Sequence, residues 1–390
     1  MRIKRLFVAC VLCLGACVSV QAADTWDVRA ASYNIRCETT ESNAQNQWSN
    51  RRTALVTLVK SMAPHIIGFQ EVRSGQYNYL KEQLPGYTFY GRFRDNGSNS
   101  EACPVAYLKD RFDFLDGGTF WLSATPDVVG SKAWGNGIAA SGHPRICTWT
   151  LLKDKQTNGF ICFACTHLDL NAGPRLAGMN LILSPEYIGR FLSRGIPVVI
   201  VGDMNECEDS SAMVAATSVM NDSFFASETR PTGSWRTFNG FSWQDPAREI
   251  AATDAVLTYR TAAERTAVSE SIGKRIDFLF TSRDIRTRTF ATRNDARDGV
   301  SYYPSDHYPV VADLTLPVKT AWGGKVRVEI GKDAHLPRVA HGRYVLTEGA
   351  CLANAENLEF ILPDWVERAT VEDGEIVIYT KRDAFFLLIR

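Results

Sequence analysis

Residues 198–201 form an uninterrupted run of β-branched side chains, VVIV, and this run restricts the folds that are open to the chain. A strand with one exposed face alternates polar and apolar residues, so this run indicates a strand that is covered on both faces. The run ends in Gly202 and Asp203, and Asn205 follows two residues later. Glycine, aspartate and asparagine all favour turns, so these residues alone fit a simple turn as well as a polar site.

Other segments predict further strands and a smaller number of helices. Apolar or alternating runs predict strands in DVRAASYNIR, HIIGFQE, PVAYLK, RFDFLDGGTFWL, RICTWTLLK, GFICFACTH, RIDFLFTS and YPVVADLTL. Helical spacing of apolar residues occurs in NRRTALVTLVKSM, GQYNYLKEQL and GPRLAGMNLILSPEYIGRFLSR. Because these helices fall between groups of strands, the order fits two packed sheets that are flanked by helices.

The 390-residue chain divides into three regions. Residues 1–22 combine a basic start, a short apolar stretch and a small-residue cleavage site after Ala22, which predicts a signal peptide and an exported protein, periplasmic or extracellular. A lipoprotein anchored at Cys17 is the alternative, and the apolar stretch is too short for a typical membrane span. Residues 24–317 form the predicted main domain, and residues 318–390 form a small β-rich domain without clustered carboxylates.

Charge and cysteine content narrow the class of protein. Lysine plus arginine equals aspartate plus glutamate at 43 each, so no overall charge attracts nucleic acid or anionic membranes, although a local basic patch stays open. The cysteines beyond the predicted signal are odd in number and irregularly spaced, which does not favour a disulfide framework. Alternation in GFICFACTH puts Cys162 and Cys165 on opposite faces of a strand, so we interpret them as core residues.

Polar side chains recur at the ends of the predicted strands. These residues are Asn34, Glu71, His167, Asp169, Asp203, Asn205, Asp277, Asp306 and His307. Strand ends at one edge of a pair of sheets share a cleft, so this recurrence indicates one functional site rather than separate turns. Carboxylate and carboxamide oxygens suit a hard cation such as Mg²⁺, whereas the histidines lack the paired spacing of zinc ligands.

The motifs SYNIR, IIGFQEV, THLDL, GDMN, RIDFLF and SDHYPV follow one another over about residues 28–316. In these motifs the sequence resembles the endonuclease/exonuclease/phosphatase family of metal-dependent phosphoesterases. RFDFLDGGTFWLS and HPRICTW further resemble a bacterial, exported branch of that family. The resemblance implies an α+β fold, a four-layer α/β/β/α sandwich of two mostly antiparallel sheets flanked by helices, with a small C-terminal β-rich appendage.

The resemblance also implies how the matched residues would bind a metal ion and a water molecule. Glu71 would be the principal ligand of Mg²⁺, with help from Asn34 and Asp306, and Mn²⁺ could replace Mg²⁺. Asp203 would orient or deprotonate the attacking water. Asn205 would hold a phosphate oxygen.

The remaining matched residues would act on the phosphate and the leaving group. His307 would contact the scissile phosphate, and Asp277 would accept the other ring proton of His307 and set its tautomer. His167 would stabilise or protonate the leaving oxygen, and Glu101 would pair with His167 as in the deoxyribonuclease branch. Arg145 could present a fixed positive fork to phosphate, or it could form a surface ion pair.

The predicted function is that of an exported, Mg²⁺-dependent phosphoesterase, in which water activated by Asp203 attacks in line. The predicted partner is a phosphate ester, and a phosphodiester is favoured over a monoester. One alternative is an extracellular nuclease acting on DNA or RNA, which the neutral charge does not favour. The other is a non-catalytic binding protein on an inactive phosphoesterase scaffold, against which the complete set of site residues argues.

Overall fold

The computed structural model describes residues 25–140, 142–242, 245–258, 273–297 and 302–319, together with short segments beyond residue 319. The predicted signal peptide at residues 1–22, with Cys17, lies outside the described residues, so export and lipid anchoring stay predictions. Within the described ranges, every helix is too short or too polar to cross a lipid bilayer.

Thirteen strands form two sheets in the described part of the main domain. In chain order they are β1 (Thr25–Asn34), β2 (Ile66–Gln70), β3 (Tyr87–Tyr90), β4 (Val105–Leu108), β5 (Phe112–Trp121), β6 (Ile146–Asp154), β7 (Phe160–His167), β8 (Val198–Asp203), β9 (Met220–Asp222), β10 (Thr232–Gly233), β11 (Asp277–Ser282), β12 (Arg286–Thr292) and β13 (Val310–Pro317). Sheet 1 has the order β10-β12-β13-β1-β2-β4-β3, and sheet 2 has the order β5-β6-β7-β8-β11-β9. Pairs β1–β2, β10–β12 and β7–β8 are parallel and the others antiparallel, which confirms two mostly antiparallel sheets.

Helices cover the outer face of each sheet. In chain order the helices are α1 (Trp48–Met62), α2 (Ser74–Gln83), α3 (Ala172–Ile182), α4 (Gly189–Ser193), α5 (Ser211–Val219), α6 (Ser223–Ala226) and α7 (Pro246–Thr258). Leu55 of α1 and Leu80 of α2 pack with Phe69 on the outside of sheet 1. Met179 of α3 and Met213 of α5 pack on the outside of sheet 2. The predicted four-layer α/β/β/α sandwich is therefore confirmed.

The two sheets face each other across an apolar core, and they approach closely at Gly68. A Cβ added to Gly68 would lie 2.5 Å from Cγ2 of Val201 and 2.8 Å from Sγ of Cys165, so only glycine fits there. Cys165 belongs to this inner core, whereas Cys162 packs in the outer core beneath α3 and α5. Both thiols are free and buried, in agreement with their interpretation as core residues.

The pairing of the strands brings the predicted site residues to one edge of the sandwich. In sheet 1, β1 and β2 are parallel and end together, with Asn34 opposite Gln70. In sheet 2, β7 and β8 are parallel and end together, with His167 opposite Asp203. β11 runs antiparallel to β8 and begins at this edge, with Asp277 opposite Asp203.

Beyond residue 319, the described residues lie in five short strands. These are β14 (Val326–Glu329), β15 (Arg343–Val345), β16 (Leu358–Ile361), β17 (Val366–Glu372) and β18 (Glu375–Thr380). β14 pairs with β16, and β18 lies between β15 and β17. These strands agree with a β-rich segment, while the division into domains at 24–317 and 318–390 stays a prediction.

Gly202 lies inside β8 and is not part of a turn. Its lack of a side chain allows β8 to pack closely against β7. A Cβ at this position would clash with the backbone carbonyl oxygen of Thr166 on β7. We therefore expect Gly202→Ala to lower the free energy of unfolding by about 1–3 kcal/mol, the usual cost of overpacking a core. Gly86→Ala is the matched control, because a Cβ there meets open space. Urea unfolding measures both variants, and an unchanged midpoint for Gly202→Ala would contradict the prediction.

Candidate active site

The carboxylate of Asp203 lies at the centre of the polar cluster. Nδ2 of Asn34 donates to its Oδ2 over 2.9 Å, and Nε2 of His167 and of His307 lies 3.5 Å and 3.6 Å from the same oxygen. Its Oδ1 accepts the backbone N–H of Asn205 at 2.9 Å. Burial, partly offset by the positive charge of His307, raises the pKa of Asp203 to about 7. A carboxyl group with such a pKa can take a proton from water near neutral pH.

His307 is held by Asp277 on the side of the ring that faces away from Asp203. Nδ1 of His307 lies 2.8 Å from Oδ2 of Asp277, and the backbone N–H of Asp277 donates to Oγ1 of Thr237 at 2.9 Å. Burial opposes the charged imidazole, but the carboxylates of Asp277 and Asp203 outweigh it and hold the pKa of His307 well above its usual value. The ring of Phe238, 43% exposed, covers His307 at a centroid distance of 5.1 Å.

Glu71 follows directly after β2 and is ionised. Its Oε1 accepts Nδ2 of Asn34 at 3.0 Å, and its Oε2 accepts the backbone N–H of Cys37 at 3.0 Å. Burial alone would raise the pKa of Glu71, but these hydrogen bonds and the positive charge of His307 lower it below its usual value. Glu71 has a left-handed backbone, with φ of 62°, which costs of order 1 kcal/mol or more and is typical of functional sites.

Asp306 borders the cluster from the segment that precedes β13. Its Oδ2 lies 3.8 Å from Nε of Arg36, and its backbone carbonyl accepts the N–H groups of Asn239 and Gly240 at 2.7 Å and 3.1 Å. Burial raises the pKa of Asp306, and the negative charge of Glu71 raises it further. The two carboxylates are therefore close enough to repel each other, and a cation between them would relieve that repulsion.

The donor set fits a hard divalent cation. Carboxylate or imidazole atoms of Glu71, His167 and Asp203 lie within 4.8 Å of one another, and so do those of Asp203, Asp277 and His307. The second group is already joined by the short contact between Asp277 and His307. The first group contains the ionised Glu71 and the oxygen donors that Mg²⁺ prefers. Of the three predicted ligands, Glu71 belongs to this first group. The other two, Asn34 and Asp306, flank the group.

Two predicted residues make contacts other than those expected. Nδ2 of Asn205 donates to the backbone carbonyl of Leu168 at 2.9 Å, so this nitrogen is engaged within the protein. Glu101 accepts Nη1 of Arg94 at 2.8 Å, and no hydrogen bond or ion pair joins Glu101 to His167 in the described structure. In the described structure the carboxylate of Glu101 is therefore engaged by Arg94, and its pairing with His167 stays a prediction.

Arg145 is a buried cation beside His167. Among the described residues its guanidinium forms no ion pair, and its buried Nε has no hydrogen-bond partner. Burial lowers the pKa of His167 well below its usual value, and the charge of Arg145 lowers it further, which locates Arg145 near that ring. Glu101 lies within electrostatic reach of Arg145 but forms its ion pair with Arg94. The guanidinium of Arg145 therefore has no directly bonded carboxylate, which is the environment expected for a phosphate-binding arginine.

Some residues that hold the site are not evident from the motifs. Thr237 fixes Asp277, Arg94 pairs with Glu101, and Arg51 of α1 is fully buried behind the site. A signal for Arg51 was present, because an arginine stands within the stripe of α1 that otherwise consists of buried apolar residues. Thr237 and Arg94 lie in loops, where no periodic pattern marks a buried polar residue.

Comparison with known proteins agrees with this geometry. Residues 31–307 match the model of the Endonuclease/Exonuclease/phosphatase family. Similar solved structures include a family protein from Bacteroides thetaiotaomicron, with 27% identity, 75% of this chain and 96% of that chain covered, and a TM-score of 0.61. Another family protein, from Bacteroides vulgatus, has 30% identity, 74% and 98% coverage, and a TM-score of 0.60.

Two further relatives are informative. A mannosyl-6-phosphatase from Bacteroides thetaiotaomicron VPI-5482 has 28% identity, covers 74% of this chain and 99% of that chain, and has a TM-score of 0.60. An uncharacterized protein of Acanthamoeba polyphaga mimivirus is 26% identical over 171 residues, which span 43% of this chain and only 62% of the viral protein. The chain belongs to the endonuclease/exonuclease/phosphatase family, whose members are metal-dependent phosphoesterases.

Proposed function

We propose that this protein is an exported, Mg²⁺-dependent hydrolase of phosphate monoesters, in which Asp203 activates the attacking water. The observation that carries the proposal is the convergence of Asn34, His167 and His307 on Oδ2 of Asp203. With a pKa of about 7, Asp203 is poised to take a proton from water at neutral pH.

The neighbouring side chains have distinct tasks in this proposal. His307, whose raised pKa keeps it charged, would donate from Nε2 to a phosphoryl oxygen, while Asp277 holds its Nδ1 proton. His167, whose pKa is lowered by burial and by Arg145, would be neutral and could hydrogen-bond the leaving oxygen. Arg145 would donate to the phosphoryl oxygens from its planar fork.

Glu71 would be the principal residue that holds Mg²⁺, with Asn34 and Asp306 flanking it. When bound, the ion neutralises charge on the phosphoryl oxygens and polarises the ester. The oxygen-rich donor set favours Mg²⁺, with Mn²⁺ as a substitute, over zinc. Glu71 is suited to this task because hydrogen bonds from Asn34 and Cys37, together with the charge of His307, lower its pKa and favour the carboxylate.

We favour a monoester over the phosphodiester of the sequence-based prediction. The solved mannosyl-6-phosphatase is similar over 99% of its length, and a mannosyl 6-phosphate is a monoester. Arg145, which has no carboxylate partner in the described structure, supplies positive charge for a dianionic phosphate. Two arginines that could contribute to a local basic patch, Arg94 and Arg111, are engaged by Glu101 and Asp154. This engagement does not favour a nuclease, which needs free cations along the nucleic-acid backbone.

Activity on a panel of esters tests the proposal. With Mg²⁺ present, the protein should hydrolyse p-nitrophenyl phosphate and hexose 6-phosphates with a higher kcat/KM than bis-p-nitrophenyl phosphate. Asp203→Asn should lower kcat by about 100-fold or more, because the amide cannot accept the proton. Asp110→Asn, an exposed aspartate after β4 at the opposite end of the sandwich, is the matched control.

The outcomes of this panel are separable. Equal kcat for wild type and Asp203→Asn would overturn the role of Asp203. A higher kcat/KM for the diester would support a phosphoesterase but would change the proposed substrate class from monoester to diester. A folded, metal-loaded protein without activity on any ester would instead support the inactive binding scaffold.

Metal binding should release protons and should tighten as the pH rises. Burial raises the pKa of Asp203 to about 7 and also raises that of Asp306, so both retain protons at acidic pH. A cation must displace the proton of Asp203 below about pH 7 but not above it, and the raised pKa of Asp306 acts in the same direction, so the affinity should increase from pH 5 to 8. Calorimetric titration with Mg²⁺ or Mn²⁺ in buffers of different ionisation enthalpy counts the protons.

Asp203→Asn should reduce the number of protons released at pH 6, since the amide has none to lose, and EDTA should abolish hydrolysis by the wild type. Asp110→Asn should release as many protons as the wild type. An affinity that does not change with pH would contradict the prediction.

A further inference from the structure

Arg51 joins two segments that carry predicted metal ligands. Its side chain is fully buried, and it donates to backbone carbonyls of Ile35 and Arg36, directly after Asn34, and of Pro304, two residues before Asp306. The distances are 2.5 Å from Nη1 to Ile35, 3.1 Å from Nη1 to Pro304 and 2.5 Å from Nη2 to Arg36. One guanidinium therefore bridges the end of β1 and the segment that leads into β13.

Gln76 of α2 extends this connection to the segment after Glu71. Its Nε2 donates to the carbonyl of Arg36 at 2.9 Å, the same carbonyl that Arg51 contacts. Its Oε1 accepts the backbone N–H groups of Glu38 at 2.9 Å and Arg73 at 3.1 Å. Gln76 is fully buried, so its side chain cannot exchange these partners for water.

Ser305 provides the shortest link between two predicted ligands. Its Oγ donates to the backbone carbonyl of Asn34 at 2.8 Å, and Ser305 directly precedes Asp306. Arg51, Gln76 and Ser305 together form a buried set of side chains, here called the brace. The brace connects residues 34–38, 71–73 and 304–306, and each of these segments carries one predicted metal ligand.

We propose that the brace, with Arg51 at its centre, sets the spacing of the three ligand-bearing segments and thereby the affinity of the site for a divalent cation. This inference rests on the proposed metal-dependent function. In this role Arg51 is a positioning residue, because it contacts backbone carbonyls rather than the substrate or the ligand side chains.

The chemistry of arginine suits this position. A planar guanidinium offers five N–H donors in a rigid fork, so it can satisfy carbonyls from two segments at once. Trp48 and Phe241 flank the guanidinium at 5.1 Å and 5.7 Å from their ring centroids, which restricts its orientation. The nearby carboxylate of Asp306 offsets part of the cost of burying the charge. Lysine would keep the charge but could not reproduce the fork.

Calorimetric titration with Mn²⁺ in the absence of substrate tests the brace directly. Arg51→Lys should weaken Mn²⁺ binding by about tenfold, the lower end of the effect of residues that orient metal ligands. At saturating Mn²⁺, kcat should return to within about threefold of the wild type, because the catalytic side chains are intact. The rise of the melting temperature with Mn²⁺ should shrink in parallel, which a purely structural role would not produce.

Arg52→Lys is the matched control. Arg52 is the next residue of α1, is exposed and stacks over Tyr79 at 4.8 Å from the ring centroid. Its conversion to lysine should leave the Kd for Mn²⁺ unchanged. Wild-type affinity in a folded Arg51→Lys variant would overturn the proposal.

A second variant keeps the test decisive if Arg51→Lys does not fold. Ser305→Ala removes only the hydroxyl that bonds the carbonyl of Asn34, and it should weaken Mn²⁺ binding by about threefold to tenfold. Wild-type affinity in Ser305→Ala would overturn the brace in that case. Failure of the proposed function can be distinguished from failure of the brace. If the wild type binds Mn²⁺ but hydrolyses no ester, the proposed function fails, while the difference in Kd for Mn²⁺ between wild type and variant can still be measured.

Discussion

The close packing of the two sheets at Gly68 determines where the polar strand ends meet. Gly68, three residues before Glu71, lies against Val201 and Cys165. Val201 and Cys165 each lie two residues before the polar residue that ends their own strand. Side chains at i and i+2 of a strand point to the same side, so the residues after Val201 and Cys165 on that side are Asp203 and His167. The apolar contact and the polar cluster are therefore successive layers of one interface between the sheets.

This layering has an electrostatic consequence. The core isolates the strand ends from water on one side, and burial is the largest influence on the pKa values of Asp203, Asp306, His167 and His307. The carboxylates and the imidazoles respond in opposite ways to the same environment, because burial disfavours whichever form is charged. Of these four residues, His307 alone has a pKa shifted against the effect of burial, and Asp277 lies 2.8 Å from its Nδ1. The site therefore holds a charged and a neutral histidine on the two sides of Asp203.

The sequence predicts those parts of the site that are local in the chain. GDMN and SDHY each place a buried strand next to its polar residues, so strand ends, sheets and the shared edge follow from short patterns. The brace does not follow, because Arg51 contacts Pro304 across 253 positions of the chain. The contact between Glu101 and Arg94 does not follow from the motifs for a similar reason, since the partner of Glu101 depends on how a loop packs. Gly202 suggests a turn from its residue type alone, whereas its actual constraint is the carbonyl of Thr166 on the neighbouring strand.

The amide of Asn34 explains why the carboxylates of Glu71 and Asp203 can lie side by side. Its Nδ2 donates one hydrogen to each of them, at 3.0 Å and 2.9 Å, and so links two groups that would otherwise repel each other. Its Oδ1 accepts the backbone N–H of Arg36 at 3.0 Å, and a carbonyl oxygen retains a second lone pair that can face a cation. An aspartate at this position could supply the oxygen but not the two donors, and it would add a further negative charge. The site therefore requires a carboxamide there, because one side chain must both join the carboxylates and leave an oxygen for a metal ion.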